Sequence, residues 1–431
     1  MQIIADLHLH SKYARATSIN SDLSGLSHGA KIKGVQVLAT GDFTHPSWFE
    51  ELKLAFANSG NNKENKDNKD NEGGLYEFNG IKFILSVEVS NIFELNKKIK
   101  KMHHILLAPN FDIAAQINDE LAKYGNLKED GRPTLKLSPA EFLEIMDKIS
   151  RDIFIIPAHI WTPWFSIFGS KSGVDNLEEA YGEMKKNIFA LETGLSSDPK
   201  MNWMLSALDK YTLVSNSDSH SPEKIGREAN VFELEEISYN SILNAIKTKK
   251  GFVKTYEFFP EEGKYHYDGH RNCNVLLDPW KAKKIKNICP ICRKGLTIGV
   301  MHRIADLADR ELGFKPENAI PFKHIVPLQT VIAKALGKSE IAIQVKEEYD
   351  KLITYFGNEF AVYETNEEQL RFTTNMTIAN AIINVNNERV RWIPGYDGVF
   401  GELILDSRGT NKKTNKEIEF ENKQKNLNEF F

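Results

Sequence analysis

Two tripeptides carry related chemistry at the same spacing: His8-Leu9-His10 near the start of the chain and Asp218-Ser219-His220 some two hundred residues later. Side chains two apart on an extended chain leave the same face, so each pair can present two donors to one metal ion. Asp42 with His45, Glu88, His104, His159 and Glu192 lie between them. Several His mixed with carboxylates suit Zn²⁺, Mn²⁺ or Fe²⁺ better than Ca²⁺, with Mg²⁺ a further candidate. Glu88 could bridge two cations through its two oxygens. Clustered divalent cations acidify and orient water and stabilise charge on a phosphoryl centre. Hydrolysis of a phosphate mono- or diester is therefore the leading chemistry, and amide or deaminase chemistry is its rival. The expected ligands are His8, His10, Asp42, His45, Glu88, His104, His159, Asp218 and His220. Of these, Glu88, His159, Asp218 and His220 are the expected catalytic set.

The elements that must position these residues are short apolar runs: Gln2–Leu7, Val35–Thr40, Ile81–Val87, Ile105–Ala108, Ile153–Ala158, Ile188–Leu191 and Thr212–Ser215. They are rich in Ile, Val and Phe without strict alternation, as buried parallel strands are. Helix-compatible segments separate them. In one, Ser138 is an expected N-cap, Pro139 takes the first helical position and Glu141 completes a capping box. Seven strands alternating with helices predict a parallel α/β sheet, open or closed into a barrel. Six of the seven polar clusters sit at or just past the carboxyl end of a run, where such a barrel builds its active site. His104 heads its run instead.

Asp6-Leu7-His8-Leu9-His10-Ser11, the Glu88 run, His104, His159 and Ser217-Asp218-Ser219-His220 together resemble the polymerase-and-histidinol-phosphatase (PHP) family. The resemblance spans residues 1–255 and implies a distorted (β/α)7 barrel holding two or three divalent metals. Thr40-Gly41-Asp42-Phe43-Thr44-His45 departs from that family's usual Thr-Asp-His, so Asp42 and His45 are both candidates. Lys12-Tyr13-Ala14-Arg15 offers no counterpart to a ligand usually found there. His103 and His104 are adjacent and must point to opposite sides of a strand; His104 is the expected ligand, and His103 either packs or supports a ligand from behind.

A second metal site is written at residues 260–305. His270-x₂-Cys273 and Cys289-x₂-Cys292, fifteen residues apart, form a zinc-clip signature that uses all three cysteines of the chain. His266 is an alternative fourth ligand. From Lys264 to Arg303 there are nine Lys or Arg and two Asp, a net of +7, which leaves −11 for the remainder of a chain whose total is −4. The near-neutral sum thus conceals a basic patch suited to nucleic-acid phosphates.

The segments 157–165, 194–199 and 226–230, the zinc module and Ile393-Pro394-Gly395-Tyr396-Asp397-Gly398 resemble endonuclease Q. That resemblance implies cleavage of DNA on the 5′ side of a deaminated base (hypoxanthine, uracil, xanthine) or an abasic site. Trp161, Trp164 and Phe165 could stack a base rotated out of the duplex. Arg227 could hold a phosphate, and Glu192 could act as acid, base or substrate-reading group. The alternatives are a PHP-type phosphatase of a small phosphomonoester, and a clamp-bound DNA-binding module without catalysis.

Residues 306–406 read as a mixed α+β region that completes a DNA-holding groove. Residues 60–74 contain nothing apolar and read as a disordered insertion, and 407–431 as a flexible tail. The last residues, Gln424, Leu427, Phe430 and Phe431, look like the motif that docks DNA enzymes on the PCNA sliding clamp. Such a clamp implies an archaeal or eukaryotic cell, and the resemblance favours an archaeon. The 431 residues are 41% hydrophobic and 26% charged, with mean hydropathy −0.40. No signal peptide or spanning run is apparent, which leads to the expectation of a cytoplasmic, nucleoid-associated monomer without a membrane partner.

Overall fold

The computed structural model describes residues 1–59 and 73–405. Of the expected insertion only Gly73 and Gly74 are described, and the tail over 407–431 with its clamp motif lies outside the described residues. The chain divides into two compact units. One comprises Met1–Gly194, Ala207–Glu257 and Lys315–Lys323; the other comprises Leu195–Ser206, Phe258–Phe314 and the chain from His324.

In the first unit, strands form at β1 (Gln2–Asp6), β2 (Val37–Ala39), β3 (Tyr76–Phe78), β4 (Ile81–Leu95), β5 (Lys98–Ala108), β6 (Thr134–Leu135) and β7 (Phe154–Pro157). They continue at β8 (Ala190–Glu192), β9 (Thr212–Val214), β10 (Ala229–Glu233) and β11 (Phe252–Glu257). Each of the seven apolar runs overlaps one of them, and β4 and β5 extend well beyond theirs. The main sheet runs β11-β10-β1-β2-β4-β5-β7, with β3 and β6 also pairing with β4. β8 and β9 pair in parallel as a separate ribbon. The result is the expected distorted α/β barrel, present as a curled half-barrel sheet. The capping box at Ser138 and Glu141 is present and starts the helix Pro139–Ile149.

The expectation of a wholly parallel sheet needs correction. β1–β2 and β2–β4 are parallel, whereas β4–β5, β5–β7 and β1–β10 are antiparallel. For β5 the cause is a two-residue turn. Asn96 and Lys97 both take left-handed conformations (φ 53° and 60°), as a type I′ hairpin requires. The turn folds β5 straight back along β4, pairing Leu95 with Lys98 and continuing as far as Leu85 with Ala108. A parallel neighbour would need a long crossover instead.

In the second unit, the segment expected to hold zinc contains a hairpin, Asp268–His270 against Val275–Leu277. Beneath it Val275, Leu277, Ala282, Cys289 and Leu296 form a small core. The helices Leu328–Leu336, Ile343–Phe356, Glu359–Glu364, Glu367–Thr373 and Met376–Asn386 pack around a larger one that includes Leu328, Val331, Leu352, Leu370, Ile378 and Ile382. A hairpin of Arg391–Ile393 with Glu402–Ile404 follows, completing a mixed α+β region. Among the described residues no helix is long and apolar enough to cross a membrane.

Candidate metal centre

The two tripeptides singled out by their spacing lie side by side. Leu9 bridges Ser219 in parallel, and the His10 N–H donates to the Ser219 carbonyl at 2.8 Å. His8 and His10 therefore share their side of the fold with Asp218. Glu88 comes from the middle of β4, and His159 from the loop after β7. Three of the residues involved sit in the left-handed region that non-glycine residues avoid: Asp42 (φ 52°), His159 (φ 29°) and Asp218 (φ 45°). Such backbone persists only where its surroundings hold it, and it concentrates at functional sites.

Two overlapping groups of donors result, each with its donor atoms within 4.8 Å of one another. One is His8, His10, Glu88 and Asp218; the other is Glu88, His103 and His159. Glu88 belongs to both. Its Oε1 lies 2.8 Å from His103 Nδ1 and 2.9 Å from His159 Nε2, while its Oε2 lies 3.3 Å from His10 Nε2. His10 Nε2 is also 3.2 Å from Asp218 Oδ1.

Burial provides a test of whether these residues fit a cation. His8 Nε2, His10 Nε2 and Asp218 Oδ1 are buried and make no hydrogen bond, an arrangement costly for polar atoms unless something else satisfies them. The opposite nitrogen of each ring is engaged. His8 Nδ1 faces both oxygens of Glu192 at 3.1 Å, and His10 Nδ1 faces Asp42 Oδ1 at 3.0 Å. A carboxylate on one nitrogen fixes the ring and turns the lone pair of the other inward, as metal-ligating His require. The donors fit divalent cations.

The electrostatics agree. Burial alone would lower the His8 pKa, but Glu192, Glu88 and Asp218 outweigh it and hold it well above the ordinary histidine value. His10 is raised in the same way by Asp42, Asp218 and Glu88. Glu88, although buried, is held well below the usual carboxylate range by His103, His8 and His10. The carboxylates gathered here thus favour positive charge at the cluster.

Several expected residues lie elsewhere. His104 is displaced by its neighbour: the β4–β5 register sets His103 opposite Ser90, on the face of Glu88, and His104 opposite Val89. His104 is instead hydrogen-bonded to Asn91 (2.9 Å) and Tyr181 (2.7 Å), and burial pushes its pKa down to about 3. His45 stacks on Tyr13 with ring centroids 4.3 Å apart and joins neither group. The turn at Asp42 that starts the helix Pro46–Ser59 carries it off. Asp42 itself accepts from Ser11 N, Ser11 Oγ and His10, so it orients a donor rather than joining the cluster. His220 packs 4.5 Å from the His10 ring and bonds the Asp218 carbonyl, beside the donors and not among them.

Glu192 is fully buried, bonded to His8, the His159 N–H (2.7 Å) and Asn216 (2.9 Å), contacts that orient the His8 ring. Arg227 donates to the Ser217 and Asp218 carbonyls at 2.8 and 3.2 Å, bracing the Asp218 loop. Trp161 is 1% exposed and packs on Phe168, so it offers no face to a base; Trp164, at 45%, does. Sequence reasoning passed over Arg132, whose guanidinium meets Glu88 Oε2 at 3.1 Å. It also passed over Asn216 and Asn230, which link Glu192 to the β9 and β10 ends. Their types carry no signature; only the fold assembles them.

In the second unit, His270, Cys273, Cys289 and Cys292 converge, their donor atoms also within 4.8 Å of one another. His266 stacks on Tyr267 and is outside the group.

No protein-family model matches the sequence. An uncharacterized protein of Methanocaldococcus jannaschii is 29% identical over 250 residues, 56% of this chain; the chain spans about a third (31%) of that protein's length. An uncharacterized protein of Bacillus subtilis is 27% identical over 423 residues, 93% of this chain and 99% of that one. Among solved structures, the lesion-specific endonuclease PfuEndoQ of Pyrococcus furiosus superposes with a TM-score of 0.83 at 30% identity. It covers 97% of this chain and 99% of its own. The chain belongs to the endonuclease Q family. A second endonuclease Q structure, holding a 27-mer duplex with an abasic lesion at the active site, has a TM-score of 0.81 at 31% identity, over 96% of this chain and all of the other.

Proposed function

We propose that this chain is a metal-dependent DNA-repair endonuclease. It hydrolyses the phosphodiester 5′ to a deaminated base (hypoxanthine, uracil or xanthine) or an abasic site. The observation that carries this reading is the set of buried donor atoms without hydrogen bonds, His8 Nε2, His10 Nε2 and Asp218 Oδ1, in a chain that matches an endonuclease Q holding lesion-bearing duplex along nearly its whole length.

His8, His10, Glu88 and Asp218 would hold one divalent cation, and Glu88, His103 and His159 a second. When bound, such cations acidify a water molecule and neutralise charge on the phosphoryl group. The protein's own part is orientation. Glu192 and Asp42 fix the His8 and His10 rings, and Arg227 holds the Asp218 backbone in its left-handed turn. Trp164 offers an exposed ring on the loop after His159, suited to stacking an unpaired base. The zinc clip of His270, Cys273, Cys289 and Cys292 sits in the basic Lys264–Arg303 segment, which we assign to duplex phosphates. Residues 1–255, 260–305 and 306–406 are assigned as its three domains, followed by a PCNA-docking tail, in a monomeric, cytoplasmic enzyme.

The test is incubation with Mg²⁺ or Mn²⁺ and duplexes carrying one deoxyinosine, deoxyuridine, deoxyxanthosine or abasic site. Cleavage of at least one of these but not of undamaged duplex, lost in Asp218→Ala, is expected. Equal cutting of undamaged DNA would refute the reading. Rapid hydrolysis of histidinol phosphate without any DNA cleavage would favour a small-molecule phosphatase. Deleting residues 427–431 should spare cleavage and abolish PCNA binding; retained binding would discard the tail assignment.

A further inference from the structure

We infer that Arg132 is a substrate-binding catalytic residue, whose guanidinium grips a non-bridging oxygen of the scissile phosphate. The inference rests on the phosphodiesterase reading above and names a contact to substrate within the same site.

The loop that carries Arg132 is fixed on both sides. Its neighbour Gly131 donates to the Tyr13 carbonyl at 3.0 Å and lies so close to Asp42 that a Cβ there would come within 2.5 Å of the Asp42 Cγ. On the other side, the Pro133 carbonyl accepts from the Ser90 N–H at 2.9 Å, and Thr134 pairs with Ser90 in β6–β4. Ser90 is two residues from Glu88 on the same face of β4. A backbone held this way aims the side chain at one place.

That place is the donor cluster. Arg132 Nη1 donates to Glu88 Oε2 at 3.1 Å, the oxygen that also faces His10 Nε2. A guanidinium carries five N–H donors in a rigid fork, and among the described residues the Glu88 bond is the one hydrogen bond this guanidinium makes. Its side chain remains 28% exposed beside a Glu88 that is wholly buried. A half-used fork, open to solvent at a phosphoryl-transfer centre, has donors left to hold a non-bridging phosphate oxygen. Arg227, the arginine that the sequence suggested for this role, spends its Nε and Nη2 on backbone carbonyls.

The experiment uses the metal-loaded full chain and an abasic-site duplex whose phosphate 5′ to the lesion is either normal or a single Rp or Sp phosphorothioate. Arg132→Gln is expected to slow cleavage about 100-fold, the usual consequence of losing one preorganised donor to a developing oxyanion. It should also shrink the wild-type preference between the Rp and Sp substrates, because one of those sulfurs replaces the oxygen that Arg132 holds. Arg132→Lys, which retains the charge on Glu88 without the fork, should fall between the two, and circular dichroism should show both variants folded. An equal loss on all three substrates, or activity within about threefold of wild type, would overturn the inference.

Affinity for inorganic phosphate, measured calorimetrically on the same proteins, reports independently of cleavage. It should fall at least tenfold in Arg132→Gln, and an unchanged value would refute the contact. If the wild type cuts no lesion duplex, the endonuclease reading fails, and this phosphate measurement still decides the role of Arg132.

Discussion

His103 and His104 are adjacent, both buried and both histidine, yet the structure gives them opposite tasks. His103 lies 2.8 Å from Glu88 and 3.2 Å from His159, while His104 bonds Asn91 and Tyr181 on the far side of the strand. His103→Gln should therefore lower the divalent metal content and cleavage while leaving the fold intact. His104→Gln should destabilise by about 1–3 kcal/mol, the cost of disturbing a buried hydrogen-bonded group, with metal content retained. Metal analysis by mass spectrometry together with urea unfolding of the two variants separates these outcomes, and the reverse pattern would mean that the strand register is wrong. The sequence showed that the pair must split and could not show which way, because the choice depends on how β5 registers against β4. By contrast His8, His10 and Asp218 were legible at once, since period-two spacing is a local property of any extended chain. Arg132 was not legible at all: one arginine before a proline has no pattern, and its meaning comes from the partner strand.

The strands that deliver donors to the centre end in turns under strain, and those turns are as much part of the site as the side chains. Gly194, at φ 63°, follows β8; a Cβ there would stand 2.5 Å from the Cβ and 2.8 Å from the Cα of His159. Gly194→Ala should cost about 1–3 kcal/mol for the conformation alone, and the clash should push His159 away from Glu88. Thermal unfolding and cleavage measured on the same preparation should both fall. A variant of unchanged stability and activity would show that His159 is not held as described. The seven strands were legible because buried strands read as continuous Ile- and Val-rich runs. Their mixed direction was not: for β5 it turns on the Asn96-Lys97 hairpin, whose Lys-rich far side (Lys98, Lys100, Lys101) does not read as part of the apolar run that follows.

At the scale of the whole molecule, the second unit is assembled from segments far apart in the chain, and one partly buried ion cluster ties two of them together. Burial would lower the His324 pKa, but its hydrogen bonds to Asp198 (3.1 Å) and Glu388 (3.0 Å) outweigh that and raise it to about 9. A group raised above its unfolded value of about 6.5 contributes its full stability below that pH, and the contribution is lost as pH rises through about 9. The amount is about 3 kcal/mol by linkage. The urea midpoint should thus fall between pH 6.5 and pH 9.5, and His324→Gln should flatten the slope; an equally steep slope in the variant would place its origin elsewhere.

The same scale holds the central claim, that the donor cluster of the first unit cuts DNA beside a lesion. It is tested most directly by mapping the cut on a duplex with a single abasic site, with denaturing gels and mass spectrometry of both ends. The account predicts one nick at the phosphodiester 5′ to the lesion, dependent on divalent metal and absent in Asp218→Ala. A nick at random positions, or one that survives in Asp218→Ala, would contradict it.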